Sequence, residues 1–279
     1  MREINCIICG NNQTETWAKK EKYTAVKCLN CGLIWINPLP TTEELDQFYN
    51  AYYQYRVDEK KLWEQRKVMY KLDKDWLEQF IDKGKLLDIG CSDGSFLSNF
   101  GEEWKKFGVE LGNDAVKQAQ QKGINVIDGS AKEALKFGEK FDCIMLRGTI
   151  EHFTNPTEAI EVASKLLNPG GYLFFTATPD VDSFSAQLYR EKWNQFVPPA
   201  HLFYFSVKTL TRLVEKYGLK KVAEHHFYPE TPYANIKNDH EKILNDFKLI
   251  NDEEREKVAN SPAFWGNMMT ILYKKNNKD

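Results

Sequence analysis

Apolar residues follow two rhythms along this chain. From 62 to 80 they recur every fourth position, at Val68, Leu72, Trp76 and Phe80, which predicts a helix with one apolar stripe. Thr41 and Thr42 followed by Glu43 and Glu44 mark a helix start just upstream, a hydroxyl cap with acids in the first turn. The run 37–40, Asn-Pro-Leu-Pro, disfavours helix before each proline and reads as an extended linker. After Gly84 the rhythm shortens. Strand-like apolar runs at 85–89, 106–111, 124–128, 141–146 and 171–177 are separated by helical patterns at 94–103, 113–122 and 156–167. Such alternation predicts an α/β fold, a parallel sheet wrapped by helices. Beyond 180 come an aromatic-rich loop, a helix at 206–217, a strand at 219–227, a polar helix-prone insert at 236–258 and a last strand at 264–273. The expected division is 1–40 as a small ribbon, 41–83 as a helical linker or lid, and 84–279 as the main domain.

Composition changes this picture little. Of 279 residues, 42% are hydrophobic and 28% charged, ordinary values for a folded globular chain. The net charge of -2 offers no broad basic surface, so no nucleic-acid partner is expected. No apolar stretch reaches membrane-spanning length and no signal-peptide core follows Met1, so no membrane partner is expected and a cytoplasmic location is. Nothing in the pattern fixes an oligomeric state.

The six cysteines matter more. Cys6-x-x-Cys9 and Cys28-x-x-Cys31 each close on a glycine, Gly10 and Gly32. Two such knuckles supply four soft ligands for a tetrahedral Zn²⁺ at about 2.3 Å, and a closed shell of four marks a structural site. Rubredoxin-like iron and a disulfide pair are the lesser alternatives. Cys91 and Cys143 lie in apolar runs and read as buried small hydrophobes.

The run 85–97 carries the chemistry: an apolar strand ends on Asp88, then the loop Gly90-Cys91-Ser92-Asp93-Gly94 leads to an amphipathic segment. A dinucleotide fingerprint would need glycines at 90, 92 and 95, yet 92 and 95 are serines. Asp88 also suits a cation better than a pyrophosphate. The run resembles the Asp-x-Gly-x-Gly-x-Gly loop of class I S-adenosylmethionine-dependent methyltransferases, with Ser92 in place of the middle glycine. Glu110 ends the next strand about twenty residues on, where an acid can chelate ribose hydroxyls.

The resemblance extends through 128–131, the run 141–152 and the turn 167–173. It implies a Rossmann-like sheet, mostly parallel with the last strand antiparallel and helices on both faces. It also implies S-adenosylmethionine as cofactor, held by Asp88, Gly90, Cys91, Ser92, Gly94, Glu110, Leu111, Ser130, Ala131, Leu146 and Arg147, with Tyr53 closing over it. Tyr52 is a second aromatic for that lid, and Arg147 could also pair with an anion.

Residues 28–38 and 49–53 resemble methyltransferases with an N-terminal zinc-binding domain, several of which modify sugars or natural products. The sugar C-methyltransferases among them carry a further C-terminal domain, which is not expected in this chain. That leaves oxygen or nitrogen acceptors favoured over carbon. The expected partner is a small-molecule acceptor: a sugar, nucleotide-sugar, glycan precursor or related metabolite. A base is needed only for a poorly nucleophilic acceptor. His152, after the fourth strand, and His201, in the aromatic loop 197–205, are the candidates. Each has a packing or loop-orienting reading beside it. His225 and His226 are adjacent in a strand and read as structural. Trp193, Phe203, Tyr204 and Phe205 could wall a pocket, though core is the more ordinary role. Two other classes stay open: an RNA or protein methyltransferase gripping its polymer with the ribbon, and a non-catalytic scaffold.

Overall fold

A computed structural model describes residues 1–54 and 60–277, and only the backbone of 50–54 and 60–62. In chain order the first elements are β1 (Thr14–Lys20), β2 (Tyr23–Cys28), β3 (Ile34–Ile36), α1 (Thr42–Gln54) and α2 (Lys60–Leu77). Then come β4 (Gly84–Ile89), β5 (Trp104–Glu110), α3 (Asn113–Gln121), β6 (Asn125–Asp128), β7 (Phe141–Arg147), α4 (Pro156–Leu166) and β8 (Leu167–Pro179). The last are α5 (Phe184–Tyr189), β9 (Phe203–Tyr204), α6 (Val207–Val214), β10 (Leu219–His225), α7 (Ile236–Asn251) and β11 (Met268–Lys275). The chain packs as two units: Met1–Arg66 with Pro179–Thr209 and His226–Met268, and Lys67–Thr178 with Leu210–His225 and Met269–Asp279. Among the described residues no helix is long and apolar enough to cross a membrane.

The second unit holds a seven-stranded sheet in the order β10-β11-β8-β7-β4-β5-β6. The pairs β4–β5, β4–β7, β5–β6 and β7–β8 are parallel, and β10–β11 is antiparallel. This is the Rossmann-like arrangement the resemblance implied. Residues 86–89 of β4 and 143–146 of β7 are all buried, so both faces of the sheet centre are covered, as parallel sheets require. Leu86, Cys143, Met145 and Phe174 share one core with Leu77 of α2, Phe96, and Val116 and Ala119 of α3. Strand order reverses between β4 and β7, and ligands of open α/β sheets bind at carboxyl strand ends beside such a switch.

The first unit holds a four-stranded sheet, β1-β2-β3-β9. Strand β9, from late in the chain, pairs antiparallel with β3 through Ile34–Tyr204 and Trp35–Phe203. Trp17 on β1 meets Phe196 edge to face at 5.6 Å, and Trp193 and Tyr204 fill the same core. Residues 1–40 therefore do not stand alone: 179–209 and 226–268, expected within the main domain, pack with them. The reason is an unpaired β3 edge that a distant strand covers.

Two local expectations differ from what forms. Residues 94–103 hold only a one-turn 3₁₀ helix at Leu97–Asn99. There Ser98 Oγ donates to the Gly94 carbonyl at 2.9 Å, and Asn99 Nδ2 donates to the Ser95 and Phe96 carbonyls at 2.8 and 3.1 Å. These side chains bond to carbonyls of which two, those of Gly94 and Phe96, also accept the backbone N–H groups of Ser98 and Asn99, and only one turn forms. Helix α2 forms as expected, but only the later part of its stripe, at Trp76 and Phe80, meets the core. Val68 is exposed, while Asp73 and Leu77 are buried and Tyr70, Trp76 and Phe80 pack beside them.

Candidate functional site

The carboxyl ends of β7, β4, β5 and β6 lie side by side in that order and bring the candidate donor residues into one row. Strand β4 ends at Asp88 and Ile89, and the chain turns at once. Gly90 takes φ +85°, and a Cβ there would lie 2.4 Å from the Thr149 methyl carbon, so the turn against β7's loop admits glycine only. Ser92 takes φ +51°, the left-handed region where the resembling loop has glycine. The loop is braced from behind: Lys122 Nζ donates to the Asp93 carbonyl and carboxylate at 2.8 and 2.7 Å and to Ser95 Oγ at 2.8 Å. Gly94 and Gly108 serve packing. A Cβ on Gly108 would lie 2.5 Å from the Cys91 sulfur, which fills the space that glycine leaves.

Glu110 closes the loop from β5. Its carboxylate accepts the Ser92 N–H at 2.8 Å and the Leu111 N–H at 2.9 Å, joining the ends of β4 and β5 through one side chain. Leu111 is exposed. Across β5–β6, Glu110 is the register partner of Asp128. Ser130 follows, its N–H and O–H both donating to Glu133, at 2.9 and 2.7 Å, and Ala131 is buried beside it.

Asp88 is the electrostatic centre of the row. It is buried, and its Oδ1 has no hydrogen-bond partner among the described residues. Burial pushes its carboxyl up to about 8; the Arg147 guanidinium pulls it down and Glu110 pushes it further up. A buried carboxyl with an unanswered oxygen fits a ligand that brings a cation and donor hydrogens. S-Adenosylmethionine brings both, and the residues present fit it.

At β7, Leu146 is buried and Arg147 is half-buried. The Arg147 guanidinium is not a free anion receptor: its Nε and Nη2 each lie 2.9 Å from Asp73 Oδ2 of α2. Beyond it, the turn 148–152 holds two groups of different standing. Glu151, which sequence reasoning passed over, is buried with an unpartnered Oε2, and burial pushes its carboxyl up to about 8. His152 is half-buried, its N–H bonded to the Thr149 carbonyl at 3.0 Å. Only the flanking Glu-His pair signalled Glu151; its burial is tertiary.

The remaining candidates belong to the other unit. His201 is buried, and its Nδ1–H donates to the Gln195 carbonyl at 2.9 Å, which leaves the lone pair of the neutral ring on Nε2. Trp193, Phe203, Tyr204 and Phe205 are fully buried and serve as core. His226 Nε2 pairs with Asp180 at 3.1 Å, a structural contact. Tyr52 and Tyr53 are backbone positions of α1, and their side chains lie outside the described residues.

The four knuckle cysteines converge in that unit too, their sulfurs all within 4.8 Å of one another. Cys6 and Cys31 Sγ are 3.3 Å apart, and Cys9 and Cys28 Sγ 3.5 Å. Gly10 and Gly32, at φ +72° and +83°, donate back to the Cys6 and Cys28 carbonyls and close each knuckle. Burial pushes the Cys6 and Cys31 thiols up, a cost that a bound divalent cation would reverse. Four converging sulfurs fit Zn²⁺.

The family described as "Methyltransferase domain" matches residues 62–224, more than half of the chain. Among curated proteins, an uncharacterized protein of Methanocaldococcus jannaschii is 28% identical over 62% of this chain and 82% of its own length. The ubiquinone biosynthesis O-methyltransferase of Erwinia tasmaniensis is 26% identical over 37% of this chain. The match spans only 46% of that enzyme's length. Among solved structures, the 1,6-didemethyltoxoflavin-N1-methyltransferase of Burkholderia thailandensis, with bound 1,6-didemethyltoxoflavin and S-adenosylhomocysteine, has a TM-score of 0.55 at 14% identity. That likeness covers 94% of this chain and 99% of the other. A possible histamine N-methyltransferase of Thermotoga maritima has a TM-score of 0.54 at 20% identity, covering 84% and 99%. At these identities the structural likeness speaks to fold.

Proposed function

This chain belongs to the methyltransferase-domain family, and from that premise we propose that it methylates a small-molecule acceptor at oxygen or nitrogen, with S-adenosylmethionine as donor. The observation that carries the reading lies at the β4 end: a buried Asp88 oxygen without a partner among the described residues, beside a loop that only glycine or a strained residue can form. The donor, when bound, supplies a methyl group on a sulfonium. Asp88 would face its positive end, Glu110 would hold its ribose hydroxyls, and the backbone of 128–131 and 146–147 would line the rest.

A sugar, nucleotide-sugar, glycan precursor or related metabolite is the acceptor class we favour. Support comes from the near-neutral net charge of -2, which argues against a polymer held by its phosphates. Two similar proteins are named for oxygen or ring-nitrogen methylation of small molecules. In our reading either His152 or His201 accepts the acceptor's proton if that acceptor is an alcohol. Cys6, Cys9, Cys28 and Cys31 hold one structural Zn²⁺, and the protein works in the cytoplasm.

Isothermal calorimetry with S-adenosylmethionine, with and without an oligonucleotide, tests the donor reading. Micromolar donor binding unaffected by oligonucleotide is expected. A chain that takes no donor is not this enzyme. A panel of sugar nucleotides and small alcohols and amines, followed by mass detection of one methyl gain, then finds the acceptor class. His152→Ala and His201→Ala are expected to separate: the base loses turnover while its donor affinity stays.

A further inference from the structure

Arg147, half-buried, and Asp73, buried, form an ion pair whose placement has a use beyond stability. In parallel strands register partners share a face, and residues two apart return to it. Asp88 pairs in register with Met145 of β7 and Gly108 of β5. Arg147 and Glu110, each two residues on, therefore share the Asp88 face. Thr176, the register partner of Arg147 in β8, shares it too. Helix α2 sets Asp73 against this row. Asp73 Oδ1 accepts the Thr176 hydroxyl at 2.6 Å, while its Oδ2 takes the two guanidinium contacts. The guanidinium carbon lies 4.5 Å from the Tyr70 ring centre and 5.1 Å from that of Phe96, held between α2 and the segment after the glycine loop. A pair this deep contributes little net stability over well-packed apolar side chains, because desolvation offsets attraction. What it does provide is a guanidinium fixed in direction on the face where Asp88 lies buried.

We propose that Arg147, clamped by Asp73, is a positioning residue that sets the charge of the donor site, keeping Asp88 able to ionise and receive the donor's cation. This rests on the donor reading above. The other titratable groups facing Asp88 are Glu110 from β5, which opposes ionisation, and the thiols of Cys91 and Cys143, which burial keeps neutral. Asp73 on α2 is spent on Arg147 and Thr176. Arg147 is the favourable charge that acts on Asp88, against burial and Glu110. The donor prefers ionised Asp88, so affinity rises with pH until the carboxyl has lost its proton. Without Arg147 that rise moves to higher pH.

The test is calorimetric affinity for S-adenosylmethionine from about pH 6 to about pH 9. The donor's own amino group titrates near about 8 in every arm, so differences between proteins report the protein. Arg147→Met is expected to move the acid side of the profile up by about one pH unit, the scale for losing a nearby opposite charge. Near neutral pH that is about a tenfold loss of affinity. Arg147→Lys, which keeps the charge, is expected to restore most of the shift. If Arg147→Met leaves Asp73 unanswered and unfolds the chain, Arg147→Gln, neutral but still a donor to Asp73, takes its place, folding being checked by thermal melting. An unmoved acid side in a folded Met variant, or a Lys variant shifted as far as Met, overturns the role of Arg147 and leaves the donor reading intact. Failure of the unaltered protein to bind donor overturns the donor reading itself.

Discussion

Two buried carboxyls, Asp88 in β4 and Glu151 in the turn after β7, make stability depend on pH. Asp88 and Glu151 are both raised to about 8 by burial, whereas unfolded carboxyls titrate near about 4. Between those limits the folded chain holds more protons than the unfolded one, so stability falls as pH rises through the window and levels above it. Asp88→Asn and Glu151→Gln are expected to raise the melting temperature of the donor-free protein at pH 9 relative to pH 5, by roughly 2–4 °C per kcal/mol regained. Thermal melts at the two pH values decide it; parallel losses at both would mean the carboxyls are held ionised. Glu110 acts at the same scale. It bridges Ser92 and Leu111 through charged hydrogen bonds, so Glu110→Ala is expected to weaken donor affinity by about 1–3 kcal/mol, with calorimetry as the measure. Unchanged affinity would remove Glu110 from the site.

Helix α2 shows how an element can keep only part of its expected stripe, packing Trp76 and Phe80 against the core but not Val68. Its sequence carries an apolar stripe every fourth residue, yet the face it buries includes a charged residue, Asp73, because Arg147 and Thr176 answer that charge. Leu77 is fully buried against β4 and β7 residues, and Val68 stands in solvent. Leu77→Ala is therefore expected to cost about 2–5 kcal/mol, and Val68→Ala within about 0.5 kcal/mol of nothing. Denaturant titration of both variants checks the assignment; a Val68 effect as large as that of Leu77 would restore the sequence stripe. The segment 94–103 is the complementary case. Its amphipathic pattern was helical, but Ser98 and Asn99 bond back to the backbone and leave one 3₁₀ turn.

At the scale of the molecule, the cysteine cluster and the sheet it adjoins belong to one unit assembled from three stretches of chain. A structural zinc there is worth on the order of several kcal/mol of folding free energy, since the ligands converge only when folded. Elemental mass spectrometry is expected to find one zinc per chain. Stripping it with a chelator, or replacing Cys28 by serine, is expected to lower the melting temperature. Iron in place of zinc, or a metal-free chain of equal stability, would contradict the structural-zinc reading.

The sequence alone determined what local chemistry can write. Alternating strand and helix patterns after Gly84 specified the parallel sheet, the Cys-x-x-Cys pairs their convergence, and Asp88, Gly90 and Glu110 a row at adjacent strand ends. Each of these is a short-range pattern whose outcome steric and hydrogen-bonding rules nearly dictate. Tertiary structure alone decided that β9 covers the β3 edge, that Arg147 is tied to Asp73, and that Glu151 is buried with its Oε2 unanswered among the described residues. Those outcomes join residues far apart in the chain, or depend on burial, and the energy of a buried charge is set by whatever the fold brings beside it.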